Sequence, residues 1–241
     1  MPKIAASIVV PVCGPLRRNA VVELDNKGRI VAVGRSRAAF TEMAGVEYYS
    51  GILIPGLADV MCGNGKSGHF LLGRGVRIAG RIGKPIDKDG HYYGDLQEIK
   101  DCSGKNKSYP DEPLKVIWQN RYGGTVEYRV FKDMEHFGKF FNIHGGKEIC
   151  YYKNSGEGLP VLAGYGHLDI LEVMLELQEG PQGFSFVQLL TMATLNGAIA
   201  LGCDKVAGYL APGTKPGLNI IEGADLNKIR LLPSSRLRRL Y

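Results

Sequence analysis

Gly51-Ile52-Leu53-Ile54-Pro55-Gly56-Leu57 is the stretch from which the fold is best read. Three large aliphatic residues closed by Pro-Gly predict a buried strand that ends at a turn. Just upstream, Val46 to Tyr49 is a second strand candidate, split from Ile52 to Ile54 by Ser50-Gly51. Further upstream, Val21 to Leu24 and Arg29 to Val33 flank Asp25-Asn26-Lys27-Gly28. That pattern predicts a β-hairpin, with Gly28 supplying the positive φ of the turn. Ser36 to Ala44 suits a short helix ending at Gly45. Ile8-Val9-Val10 reads as one more strand. It is not read as a signal sequence, because Pro11 interrupts it and Arg17-Arg18 follow without a small-residue cleavage site.

Downstream, the pattern is weaker until residue 114. Val76-Arg77-Ile78 is a strand candidate, and residues 103–113 read as an exposed loop. Leu114, Val116 and Trp118 alternate with Lys115, Ile117 and Gln119, and Val126, Tyr128 and Val130 alternate with Glu127 and Arg129 after Tyr122-Gly123-Gly124. This predicts a second hairpin with an aromatic-rich face. From residue 168 the period changes. Leu168, Leu171, Leu175, Val173 and Leu177 recur at three- and four-residue steps, so a helix is expected over about 168–179. Ser185 is a candidate N-cap for a second helix over about 186–201, with Gly202 as its stop. Leu218 to Ile221 and Ile229 to Leu232 are the last strand candidates. The fold class expected is α+β. A β-sandwich is formed by both chain ends, residues 1–60 with 203–241, around a mostly β central segment and two helices within residues 61–202.

Composition narrows the function. The chain has 241 residues, enough to bury a core without disulfide or metal staples. Its 33 glycines are nearly twice the usual ~7%, which favours short strands and tight turns over a helical bundle. The net charge of +6 is modest. Its densest basic cluster, Lys228, Arg230, Arg236, Arg238 and Arg239, has only Tyr241 nearby for stacking, so no nucleic-acid partner is expected. No apolar stretch approaches the ~20 residues that span a membrane. The five cysteines are odd in number and contain no CxxC, which fits reduced thiols and a cytoplasmic location.

The chemical motifs are incomplete. Gly63-Asn64-Gly65-Lys66-Ser67 lacks the Gly that a phosphate loop needs five residues ahead of its second glycine; that position is Val60. Asp87 to Glu98 places Asp87, Asp89, Asp95 and Glu98 at calcium-loop positions 1, 3, 9 and 12. His91 and Tyr92 occupy positions 5 and 6, where an oxygen ligand and a glycine belong, so a plain turn is expected. His69, His91, His136, His144 and His167 form no closely spaced pair of the kind that presents two imidazoles to one metal. Glu172 and Glu176 lie one helical turn apart, as on a solvated face.

The two ends together resemble the amidohydrolase superfamily, in its chlorohydrolase and nucleoside-deaminase branch. The resemblance rests on Val21-Val22-Glu23-Leu24-Asp25 with Gly28-Arg29-Ile30, on Ala44-Gly45-Val46-Glu47-Tyr48-Tyr49, and on Gly51 to Leu57. It continues in Leu168-Asp169-Ile170-Leu171-Glu172-Val173-Met174, in Met192-Ala193-Thr194-Leu195-Asn196-Gly197-Ala198, and in Gly208 to Gly217. Cys150 to Asn154 resembles a late barrel strand. The resemblance implies a (β/α)₈ barrel with a small β-sandwich, and metal-dependent hydrolysis of non-peptide C–N bonds of small heterocycles. It also implies two histidines in an HxH on the first barrel strand, two later histidines, and an aspartate on the last strand.

Aligned on Pro55-Gly56-Leu57, the HxH positions fall on Met61 and Gly63, with Cys62 between them, and the last-strand aspartate falls near Gly166. A glycine offers no ligand and a thioether suits zinc poorly. Residues 61 to 161 also span only 100 residues, where a complete barrel takes about 250. The expectation is therefore an amidohydrolase-like scaffold without the family's catalysis, serving in binding or assembly, with no catalytic residue assigned and no cofactor. The alternative is an active hydrolase with a small-molecule substrate, using zinc or another divalent metal on His69, His167 and Asp169, with Cys62 or His144 as a fourth ligand. The sequence is compatible with a homodimer. A basic surface-binding module ranks last.

Overall fold

The computed structural model describes residues 1–35, 45–59, 73–82, 92–98, 114–120, 125–130, 149–153, 159–162, 169–180 and 183–241. The architecture is α+β, with two mixed sheets and few helices among these residues. The first sheet has six strands and takes them from both ends of the chain. They are β1 (Lys3–Val9), β2 (Arg17–Leu24), β3 (Ile30–Arg35), β4 (Val46–Pro55), β12 (Leu218–Glu222) and β13 (Arg236–Arg239), in the order β13-β12-β4-β1-β2-β3. Only β1 and β4 run parallel; the other neighbours are antiparallel. β4 sits at the middle and is buried on both faces from Gly51 to Pro55. Ile52 and Ile54 enter one core and Leu53 the other.

The second sheet has seven strands: β5 (Leu57–Asp59), β6 (Val76–Ile82), β7 (Tyr92–Glu98), β8 (Leu114–Asn120), β9 (Thr125–Val130), β10 (Ile149–Lys153) and β11 (Leu159–Leu162). They follow one another in chain order, parallel from β5 to β7 and antiparallel from β7 to β11. Gly56 is the joint between the sheets. A Cβ there would meet the Pro216 carbonyl oxygen at 2.5 Å and the Arg77 Cβ at 2.4 Å, so no larger residue fits without a shift.

The helices follow from their caps. α1 (Ile170–Glu179) begins at a capping box: the Asp169 carboxylate accepts the Glu172 N–H at 2.9 Å, and the Glu172 carboxylate accepts the Asp169 N–H at 2.9 Å. Ile170, Val173, Met174 and Leu177 form its buried face. Leu171 and Leu175 are only partly buried, so the core face lies one step round from the leucine row. Ser185 caps α2 (Phe186–Thr191), as expected, through a second capping box with Gln188. A π-helical turn (Met192–Asn196) and α3 (Gly197–Ala200) then complete the helical run predicted over 186–201. The π turn packs on both β5 and β11, and Asn196 donates from Nδ2 to the Pro160 carbonyl at 2.7 Å. It thus joins the two edge strands of the seven-stranded sheet.

Three expectations need correction. Ser50-Gly51 does not split β4. It lies where the pairing with β1 slips by one residue, and the close approach of the Ile221 carbonyl oxygen, 2.4 Å from where a Cβ would stand, explains the glycine. The last strand is Arg236–Arg239, not Ile229 to Leu232. Asp225 and Arg230 close a turn by exchanging backbone hydrogen bonds at 2.9 and 3.1 Å, and Ile229 has φ +53°, so that stretch cannot extend. Tyr92–Glu98 is a strand where a plain turn was expected to run to Glu98, and Asp87 to His91 lie outside the described residues. The helix expected at Ser36 to Ala44 lies outside the described residues.

The turns hold ionised carboxylates. Asp25 accepts the Arg29 and Lys27 N–H groups, each at 2.8 Å, and those bonds keep its carboxyl below the usual range. The Lys228 and Asn227 N–H groups do the same for Asp225, and the Arg230 guanidinium does so for Glu179. A carboxyl whose folded pKa is depressed contributes stability above its unfolded pKa, and that contribution fades as pH falls through the folded value. The melting temperature is therefore expected to fall below about pH 4. It should fall less steeply in a variant combining Asp25→Asn, Asp225→Asn and Glu179→Gln. Equal slopes in melting curves taken across that range would refute this.

Candidate functional site

In open sheets with parallel strands, chemistry gathers at the carboxyl ends of the strands. β5 ends in Asp59, a carboxylate only 2% exposed at the close of an otherwise apolar strand. Sequence reasoning passed over Asp59; a charged residue terminating the run Gly51 to Ala58 was the available signal. Met61, Cys62 and Gly63 follow it and lie outside the described residues, as do His69, His144, Gly166 and His167.

Asp169 is the one candidate ligand whose surroundings are described. It stands at the start of α1, where both carboxylate oxygens are engaged. Oδ1 accepts the Glu172 N–H, and Oδ2 accepts Arg74 Nη1 at 2.6 Å. The guanidinium supplies at Oδ2 the positive charge that a metal would bring. The Asp169 side chain keeps 16% of its surface exposed and that of Arg74 50%, so the pair sits at the rim of a cleft rather than in the core. The partner of Asp169 lies 95 residues earlier in the chain, which no spacing rule could have found.

The cleft has a volume of about 450 Å³. α1 forms one wall and the C-terminal segment from Leu231 to Leu237 the other, with Arg74, Asp169 and Glu172 at one end. The far wall is fixed to α1 from within. Gln178, 8% exposed, accepts the Leu231 N–H at 2.9 Å and donates to the Leu231 carbonyl at 3.0 Å. Arg230 pairs with Glu179 at 2.7 Å beside it. Among the described residues no three His, Cys, Asp or Glu side chains converge as a metal site, and no helix is long and apolar enough to cross a membrane.

No curated protein matches the chain. A family model described as "Amidohydrolase family" matches residues 154–236. Among solved structures, guanine deaminase from E. coli aligns with a TM-score of 0.52 at 11% identity, over 94% of this chain and 90% of that one. N-acetylglucosamine-6-phosphate deacetylase from Pasteurella multocida aligns with a TM-score of 0.50 at 9% identity, over 92% and 96%. Ochratoxinase from A. niger aligns over 34% of this chain and a quarter (25%) of its own, at 16% identity and a TM-score of 0.27. At these identities the first two likenesses are likenesses of fold.

Proposed function

We propose that the chain is a scaffold of the amidohydrolase superfamily, whose family model matches residues 154–236, without that superfamily's metal-dependent hydrolysis. The observation that carries this reading is the pair Met61 and Gly63. In the frame set by Pro55-Gly56-Leu57 these stand where two imidazoles would bind a divalent metal. The donor set does not fit the ion. Glycine has no side chain, a thioether is a soft ligand for Cu(I) rather than zinc, and Asp169 already serves Arg74 and the α1 cap. In the same reading, residues 1–60 with 203–241 form a composite β-sandwich unit, and residues 61–202 stand in for the barrel. Five cysteines, odd in number and without a CxxC, fit a reducing, cytoplasmic setting.

A second reading, an active hydrolase of small heterocycles with His69, His167 and Asp169 as substitute ligands, is favoured by one observation. Asp59 is a buried carboxylate at a strand end, where such enzymes place their chemistry.

Metal analysis of the purified protein separates the two. Substoichiometric zinc, iron and manganese are expected, with no change in melting temperature on adding zinc. A site filled at a hundredfold excess over its dissociation constant would add about 2.7 kcal/mol of stability and be plain in the melt. Stoichiometric metal together with hydrolysis of adenosine-like or guanine-like substrates would overturn the proposal.

A further inference from the structure

We propose that the cleft between α1 and the C-terminal segment binds a small amphipathic carboxylate, with Arg236 as the anchor for its head and leucines as the seat for its body. The first support is charge. Three arginines near this segment have their own carboxylates: Arg74 with Asp169, Arg230 with Glu179, and Arg238 with Glu222 at 2.7 Å. Arg236, which lines the cleft, has no such pair. Its guanidinium is held in place through Nη1, which donates to the carbonyls of Pro233 at 3.1 Å and Ser235 at 2.8 Å. It has no carboxylate partner among the described residues, and its other N–H groups remain for a ligand.

The second support is the lining. Leu171 and Leu175 of α1 face Leu232 and Leu237 across the cleft. Leu232 is 38% exposed, apolar surface that a ligand would cover. The volume of about 450 Å³ lies within the roughly 300–1,000 Å³ range of small-molecule pockets. The third is rigidity. Ser235 Oγ accepts the Leu232 N–H at 2.9 Å and donates to the Gly223 carbonyl at 3.3 Å, and Gln178 fastens Leu231, so the wall that carries Arg236 is already ordered. An ordered site loses little freedom on binding.

The cleft also limits the charge of its ligand. At its other end Arg74 offsets the charge of Asp169, and Glu172 remains to repel a second negative charge, which favours a monoanionic carboxylate over a phosphate ester. This inference stands apart from the hydrolase question, since it uses neither the ends of the parallel strands nor a metal.

Calorimetric titration of the full chain with octanoate tests it, with octan-1-ol as the uncharged comparison. One octanoate is expected to bind per chain, about tenfold more tightly than octan-1-ol, on the scale of a single charge-assisted hydrogen bond. Arg236→Gln should bring octanoate down to the alcohol's affinity at an unchanged melting temperature, and Arg236→Lys should recover most of it. Leu232→Ser should weaken both compounds. Raising the ionic strength should weaken octanoate alone, and this comparison decides the matter without a variant should Arg236→Gln not fold. Absence of saturable octanoate binding, equal affinity for the alcohol, or full affinity in a folded Arg236→Gln variant would overturn the proposal.

Discussion

Replacing Phe186 by Ala is expected to cost about 3–5 kcal/mol of unfolding free energy, the largest loss from a single core truncation among the described residues. Phe186 is the first residue of α2 and is 2% exposed. Ser185 fixes where the helix begins, because it accepts the Gln188 N–H, and so fixes which way the ring enters the core. There it shares one cluster with Leu177 and Met174 of α1, with Leu189 and Leu190 of its own helix, and with Ile52 and Ile54 of β4. Truncation therefore opens a cavity where both helices and the six-stranded sheet meet, and a close-packed interior fills such a space only in part. Urea denaturation measures the effect. Val187, the next residue, is 39% exposed, and Val187→Ala should stay within about 0.5 kcal/mol of the parent. A Phe186→Ala loss below about 1 kcal/mol would show that α2 is not seated in this core. Leu171, from the leucine row of the first predicted helix, and Leu195, within the second, are only partly buried and should cost less.

The parts of the fold legible in the sequence are those decided by residues close together in the chain. The hairpin around Asp25 to Gly28, the hairpin between Leu114 and Val130, and both helix starts were readable because turn residues and caps act over two to four positions. What was not readable depends on distant partners. Ser50-Gly51 resembles a break until the Ile221 carbonyl is seen pressing on it from β12. Ile229 to Leu232 has the composition of a strand. Its backbone groups are nevertheless met by the Gln178 side chain, 53 residues away, and by a local turn closed at Asp225.

The candidate site divides in the same way. In the sequence Asp169 stands with His69 and His167 as a substitute metal ligand for an active hydrolase. The Asp169-to-Glu172 spacing was equally legible as a capping box, and that is the role the structure gives it. Arg74, which turns this cap into an ion pair at a cleft, gave no signal. Arg236 stood out only as a member of a basic cluster; its importance lies in being a cleft-lining arginine without an acidic partner among the described residues. Residue types announce a possible chemistry, but the chemistry available at a carboxylate depends on what already occupies its oxygens.

Gln178→Met is the complementary large-effect variant, because it removes polar partners instead of volume. Methionine keeps the length and the helix propensity of glutamine, so α1 itself should be little disturbed. The Leu231 N–H and carbonyl, however, lose the amide that accepts from one and donates to the other, and Leu231 is fully buried. A buried backbone group left without a partner costs about 1–3 kcal/mol, so two of them together should cost about 2–6 kcal/mol. The loss should be local as well as global. Hydrogen exchange at the Leu231 amide should accelerate more than exchange at Ile220 and Ile221 of β12, whose ladder with β4 and β13 is untouched. The Arg230–Glu179 pair cannot compensate, since both side chains are about half exposed and such pairs contribute at most about 1 kcal/mol. An unchanged denaturation midpoint with unchanged Leu231 exchange would mean that Gln178 does not hold the C-terminal segment. The same segment carries Arg236. A Gln178→Met protein that still folds should therefore bind octanoate more weakly with all cleft-lining residues intact, because the ligand would then have to order the wall that the amide orders now.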